Sequence, residues 1–248
     1  MDDSSTSDPL RRHRIAVLGL LAGCLGFAVL SIPIARGTSW AWDLHLARWL
    51  HGQEATLHLT RFEGTFYWLS DNGLVPLFVL VVLVLIFSGR LGWTLFEVVA
   101  GIGLLGLDEV LKNAFARRSF RSALFWQDFR PTAGADGYGR PHFGHGGGGY
   151  SFPSGHSLVT MALLCSFLVF ARGTRAVRPI AVVGAVLVAS FGVLLVVFAA
   201  HYPTDVLAGW TVAVAWISAL SLAAPDWLLE ARLGRLRRAR AASDPRSS

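Results

Sequence analysis

Apolar residues in this chain come in runs too long for a soluble core, separated by short polar stretches. The runs cover Ile15–Ala35, Leu74–Phe87, Leu91–Gly106, Ser157–Ala171, Ile180–Ala200 and Val206–Ala224. A helix needs about 17–25 residues to cross a bilayer, and each run with its neighbours approaches that length. Leu74–Phe87 is short, and Trp68–Gly73 extends it. The pattern predicts a single all-α domain over 1–248, a six-helix transmembrane bundle. Its spans fall near 15–35, 71–88, 91–112, 155–171, 179–200 and 204–224, with a basic tail over 229–248. Between the first two runs, Ser39–Ser70 mixes charges with Trp40, Trp42, Trp49, Phe62, Phe66, Tyr67 and Trp68. That mixture predicts an amphipathic segment at headgroup depth, an anchor or a guide for a lipid substrate.

Composition agrees with a membrane protein. The chain is 53% hydrophobic and 15% charged, with mean hydropathy +0.51, which excludes an ordinary soluble domain. A pI near 10.1 raises the question of nucleic acid. Basic residues flanking the spans are accounted for by membrane topology, so no nucleic-acid partner is expected. Cys24 and Cys165 both lie inside spans, which argues against a disulfide framework. The first span follows Arg11, Arg12 and Arg14 with no small-residue cleavage site, so it is expected to stay in place.

Positive residues favour the cytoplasmic side of a membrane. With the N-terminus inside, the inner segments hold thirteen basic residues and the outer segments nine. The expected orientation is N-in and C-in across a bacterial-type inner membrane. Six of the nine outer ones, Lys112, Arg117, Arg118, Arg121, Arg130 and Arg140, crowd into one loop between spans three and four. Such a loop either binds anionic headgroups or serves chemistry.

The same topology brings three separated pieces to one outer face. Lys112, the only lysine against 21 arginines, ends span three. Pro153-Ser154-Gly155-His156 opens span four, and His201 and Asp205 sit where span five hands over to span six. Pro is tolerated at a helix start, where its missing N–H is not needed. The N–H groups after it form an anion site, and Gly155 admits an anion closely. His156 gives or takes a proton near neutral pH. His201 reads as a nucleophile with Asp205 as its orienter, although Asp205 also suits an N-cap of span six. Lys112 offers a point charge to a phosphate.

These residues resemble the type 2 phosphatidic acid phosphatase (PAP2) superfamily, whose signature is Lys-x6-Arg-Pro, Pro-Ser-Gly-His and Ser-Arg-x5-His-x3-Asp. The second block matches at Pro153–His156, the third in its His201-x3-Asp205 half, and Lys112 fits the opening of the first. The resemblance implies a membrane phosphatase in which His201 attacks phosphorus and forms a phosphohistidine. It implies that Asp205 orients His201 and that His156 protonates the leaving oxygen. Ser154, Gly155 and Lys112 would hold phosphoryl oxygens, with no metal or other cofactor.

Two positions depart from the signature. Ser119-Phe120 stands where Arg-Pro is expected, and Leu194-Leu195 where Ser-Arg is expected. Arg118 or Arg121 would serve after a small shift of the helix end, and Arg130-Pro131 would serve after a large loop insertion. The Gly-rich stretch 134–149 carries Arg140, His142 and His145, which would fold over the site or join a metal set. Asp108 lies one turn before Lys112, so a helical ion pair is expected. Glu97, deeper in span three, faces protein or water rather than lipid.

The implied function is hydrolysis of a phosphate or diphosphate monoester headgroup, of an isoprenoid diphosphate, phosphatidate-like lipid or lipid A phosphate. A phosphotransferase on the same scaffold, a non-catalytic lipid-binding relative and a proton-coupled transporter using Glu97 and Asp108 are the alternatives.

Overall fold

A computed structural model describes residues 9–121, 124 and 150–224. Seven helices make up the described chain: α1 (Pro9–Ala35), α2 (Ala41–Thr56), α3 (Thr60–Phe87), α4 (Leu91–Phe115), α5 (Gly155–Phe170), α6 (Val177–Val197) and α7 (Pro203–Ala223). Four are long and apolar enough to cross a membrane: Leu10–Ala35, Thr60–Phe87, Val177–Val197 and Pro203–Ala223. α4 has the length but carries Glu97, Asp108, Glu109 and Lys112. α5 has 16 residues, about 24 Å of helix against a hydrocarbon core of about 30 Å. Length and composition therefore single out four of the six expected crossings.

The start of α3 is a second difference. Ser39–Ser70 is not one amphipathic helix. It is α2 plus the first turns of α3, which begins at Thr60 rather than near 71. At 28 residues α3 is about 42 Å long, so its first two turns exceed the hydrocarbon thickness. A polar start on an apolar helix hides the boundary from a hydropathy reading.

α7 is the hub. It packs against α1, α2, α4, α5 and α6, and buries Pro203, Thr204, Asp205, Val206, Ala208, Gly209, Val212, Ala213 and Ile217. Small residues allow its closest crossings. A Cβ added at Gly23 of α1 would lie 2.6 Å from the Thr211 carbonyl and 2.7 Å from the Ala215 nitrogen. One added at Gly209 would lie 2.5 Å from the Ser154 carbonyl of α5. Backbone-to-backbone contact of this kind suits a membrane, where packing rather than apolar burial joins helices. The outward faces of α1, α3, α4 and α6 expose large apolar side chains, among them Leu18, Leu21, Val75, Leu80, Ile102, Leu105, Val182 and Leu187. A contiguous exposed apolar belt marks a lipid-facing surface.

Gly23→Ala therefore forces α1 off α7 and costs about 1–3 kcal/mol. Gly52→Ala, in an open part of α2 with nothing within 4 Å, is neutral or stabilises by about 0.5–1 kcal/mol. Thermal unfolding in detergent micelles separates the two; equal midpoints contradict the close crossing.

Candidate active site

At one end of the bundle the C-termini of α4 and α6 meet the N-termini of α5 and α7. α4 stops at Ala116, whose φ of 46° reverses the chain, and α6 is followed by Ala199 at φ 56°. An alanine there costs about 1–2 kcal/mol relative to the helical region, and each reversal is followed by an inward side chain. After Ala116 the chain pairs with the segment leading into α5. Arg118 bridges Tyr150, and the Ser151 N–H donates to the Arg117 carbonyl at 2.8 Å. After Ala199, the N–H groups of Ala200 and His201 both donate to the Leu195 carbonyl, at 2.9 and 3.2 Å.

Arg117 is the innermost of these side chains, 1% exposed between Asp43 of α2 and Asp205 of α7, both 0% exposed. One terminal nitrogen donates to Asp205 Oδ1 and Thr204 Oγ1 at 2.6 Å, the other to Asp43 Oδ2 at 2.5 Å and Ser39 Oγ at 3.1 Å. The Asp43 carboxylate also accepts the Thr204 N–H at 2.9 Å. The guanidinium lies 3.9 Å over the Tyr202 ring. Burial works against its charge, but Asp205 and Asp43 outweigh burial and hold its pKa above the ordinary range.

Held on one oxygen by Arg117, Asp205 presents the other to the His201 turn. Oδ2 accepts the Tyr202 N–H at 3.0 Å and lies 3.6 Å from His201 Nδ1. That spacing is a charge contact rather than a hydrogen bond. The nearer partner of Nδ1 is the Ser151 carbonyl, at 3.2 Å. A carbonyl only accepts, so Nδ1 carries the hydrogen and Nε2 keeps its lone pair. Burial lowers the pKa of His201 below its ordinary 6.5, against the opposing pull of Asp205. The ring is therefore neutral and nucleophilic at neutral pH. The N-cap of α7 is Tyr202 rather than Asp205: Asp205 stands at N3 and reaches back to the Tyr202 N–H, while lying beside the His201 ring.

The His156 ring faces His201 at a centroid separation of 6.2 Å, and its Nε2 lies 3.2 Å from Asp71 Oδ1 of α3. Ser154 is fully buried. Its hydroxyl accepts the Ser157 N–H at 3.3 Å as the N-cap of α5, and its own N–H donates to the Asp205 carbonyl at 2.9 Å. Gly155 lies beside Asp108, whose carboxylate oxygens would be 3.0 Å from an added Cβ. Lys112 pairs with Asp108 at 2.7 Å, the ion pair expected from their spacing. Thus Lys112, Ser154, Gly155, His156, His201 and Asp205 gather at one end of the bundle.

The arginines divide differently. Arg121 sits half-exposed on the rim, 2.7 Å from Glu63 and over the Tyr67 ring. Arg118 is buried, its backbone held in the bridge to Tyr150. Arg130, Arg140, His142 and His145 lie outside the described residues. Phe120 and Leu195, at the two positions where the signature has Pro and Arg, pack into the same apolar cluster with Ala47, Val196, Ala199, Tyr202 and Val206. The two departures are thus one event in space. Glu97 is 2% exposed in the bundle interior, beside Ser166 of α5.

Asp43, Asp71 and Ser151 hold the site together without being marked by the sequence reading, and Arg117 is marked there only as one of the six basic residues of the outer loop. A signal for one of them exists: Glu63, Tyr67 and Asp71 recur every fourth residue, one face of a helix.

A family model of the PAP2 superfamily matches residues 91–228, more than half of the chain. The structure is similar to that of a transmembrane PAP2-type phosphatidylglycerolphosphate phosphatase from Bacillus subtilis. The TM-score is 0.55 at 18% sequence identity, over 80% of this chain and 94% of that one. Identity at that level shows a shared fold. Comparison with curated proteins gives no match.

Arg117→Leu leaves two buried carboxylates facing each other without a counter-charge, at a cost of about 3–5 kcal/mol. Arg121→Ala, on the rim, changes stability by less than about 1 kcal/mol. Thermal unfolding of both variants in micelles checks the contrast, and similar midpoints would show that Arg117 is not structural.

Proposed function

Because the chain belongs to the PAP2 superfamily, we propose that it is an integral-membrane phosphatase that removes phosphate from a phosphate or diphosphate monoester headgroup of a lipid through a phosphohistidine on His201. The observation that carries this is the His201 ring, held through Nδ1 by Ser151 and Asp205 and set opposite His156.

In this reaction His201 Nε2 attacks phosphorus as the ester P–O bond breaks. The leaving oxygen takes a proton from His156. Water, deprotonated by the same His156, then cleaves the P–N bond and frees phosphate and His201. Asp205 stabilises the positive charge that His201 gains. The first N–H groups of α5, at Gly155 and His156, have no acceptor within the helix and favour an anion. A dianionic headgroup competes with Asp108 for Lys112, so Lys112 joins the substrate as it binds. Ser154 contributes by capping α5 and so presenting those N–H groups.

The site lies at the outer face of an inner membrane, with both termini inside and α1, α3, α4, α5, α6 and α7 crossing. Thirteen inner against nine outer basic residues support this orientation. Isoprenoid diphosphates, phosphatidate-like lipids and lipid A phosphates all present the required headgroup. Transfer to an acceptor other than water would use the same residues.

Phe120 and Leu195, packed together in place of signature residues, favour a second reading: a lipid-binding relative without turnover. Purified protein in micelles with a lipid diphosphate separates the two. Phosphate release that falls to background in His201→Ala supports the phosphatase. A wild type no faster than that variant, while still binding the lipid, supports the second reading.

Burial places the His201 pKa below the ordinary 6.5, so NMR is expected to show its imidazole resonance titrating below 6.5. The unfolded chain then binds the extra proton first, so stability conferred by neutral His201 is present above about 6.5 and is lost as pH falls below it. A midpoint above 6.5 contradicts the burial argument.

A further inference from the structure

His156 has a carboxylate partner of its own, on a helix outside the three signature blocks. One stripe of α3 reaches the site at three points. Glu63 pairs with Arg121 at 2.7 Å, the Tyr67 hydroxyl donates to the Phe198 carbonyl at 2.5 Å, and Asp71 lies 3.2 Å from His156 Nε2. Successive contacts are four residues apart, so they lie on one helix face. They engage the chain after α4, the end of α6 and the start of α5. Phe66, beside the stripe, packs on Phe191 and Phe198 with centroids 5.2 and 5.0 Å away. The stripe thus fixes Asp71 against His156 through contacts that do not involve either residue.

Resting on the phosphatase reading, we propose that Asp71 is a positioning residue for the proton donor: its carboxylate holds the Nε2–H of His156, leaving Nδ1–H to protonate the leaving ester oxygen. The site then contains two histidine–carboxylate pairs, His201 with Asp205 for attack and His156 with Asp71 for departure. Their geometries differ. Asp205 is fully buried, whereas the Asp71 side chain is 45% and the His156 side chain 31% exposed. An exposed pair admits the water that cleaves the phosphohistidine and returns the proton to His156. A buried pair keeps the nucleophile from being protonated.

The proton balance is closed. His156 gives its Nδ1 proton to the ester oxygen when the P–O bond breaks, and recovers a proton from the water that cleaves the phosphohistidine. Asp71 keeps its charge throughout. Around His156, Asp108 gives its Oδ2 to Lys112, Asp205 is held by Arg117, and His201 by Ser151. Asp71 is the carboxylate in direct contact with the His156 ring, at 3.2 Å.

The test compares two substrates and one spectrum. A lipid phosphate has a poor leaving group that needs a proton, and an aryl phosphate has a good one that does not. The rates are read as kcat/KM, which reports P–O cleavage and not the later hydrolysis shared by both substrates. Asp71→Ala is expected to slow the lipid phosphate about 10–100-fold and the aryl phosphate less than about 3-fold, a part of the roughly 10²–10⁴-fold a general acid contributes. Asp71→Glu restores part of the loss. Equal losses on both substrates overturn the proposal. The 15N resonances of the His156 ring read the contact without turnover. Asp71→Ala is expected to shift Nε2 while the His201 resonances stay in place, which also shows that the fold survives. An unmoved Nε2 overturns the proposal. A shifted Nε2 in a protein that turns over neither substrate supports the contact and refutes the phosphatase reading instead.

Discussion

The buried guanidinium of Arg117 sets the geometry at the end of the bundle that holds His156 and His201. Arg117 lies between Asp43 and Asp205 with all three side chains out of water. Removing charges from water is expensive, and only close, well-directed contacts offset the penalty. Those contacts tie together α2, the chain leaving α4 and the first turn of α7. Because the guanidinium is planar, it reaches both carboxylates in one fixed fork, and a lysine could not replace it in that role. The requirement to stay paired makes the local backbone nearly obligatory, down to the left-handed Ala116 that turns Arg117 inward.

The placement of the His201 ring follows from that pairing. With Oδ1 of Asp205 committed to Arg117, Oδ2 is left for the Tyr202 N–H and the His201 ring. Ser151, carried on the strand-like pairing of 117–118 with 150–151, supplies the closer acceptor for Nδ1. The His201 ring is thus oriented from two directions, one through the Arg117 fork and one through the backbone beside it. The Ser154 N–H reaching the Asp205 carbonyl joins α5 to the same frame. His156 in the first turn of α5 and His201 in the turn between α6 and α7 are thereby brought close, with ring centroids 6.2 Å apart.

The apolar runs made the helices legible in the sequence, because nothing but a membrane or a large core hides so much hydrophobic surface. The helix-end motifs likewise foretold that His156, His201, Asp205 and Lys112 would meet. The start of α3 was not legible: Thr60–Ser70 is polar enough to read as interface, and its stripe of Glu63, Tyr67 and Asp71 has meaning only once its partners are known. Nor was the role of Arg117. Arg117, Arg118 and Arg121 are chemically equivalent in the sequence, and burial against Asp43, distant in the chain, decides which becomes structural. The coupling of Phe120 with Leu195 is likewise a fact of three dimensions, since 75 positions separate two residues that share one apolar cluster.

A structure of the protein in lipid with bound vanadate tests the account most directly. The account predicts vanadium bonded to His201 Nε2, with Nδ1 still facing Ser151 and Asp205, and Arg117 buried out of reach of the vanadate oxygens. Vanadate held by the Arg117 guanidinium, or bound away from His201, would contradict it.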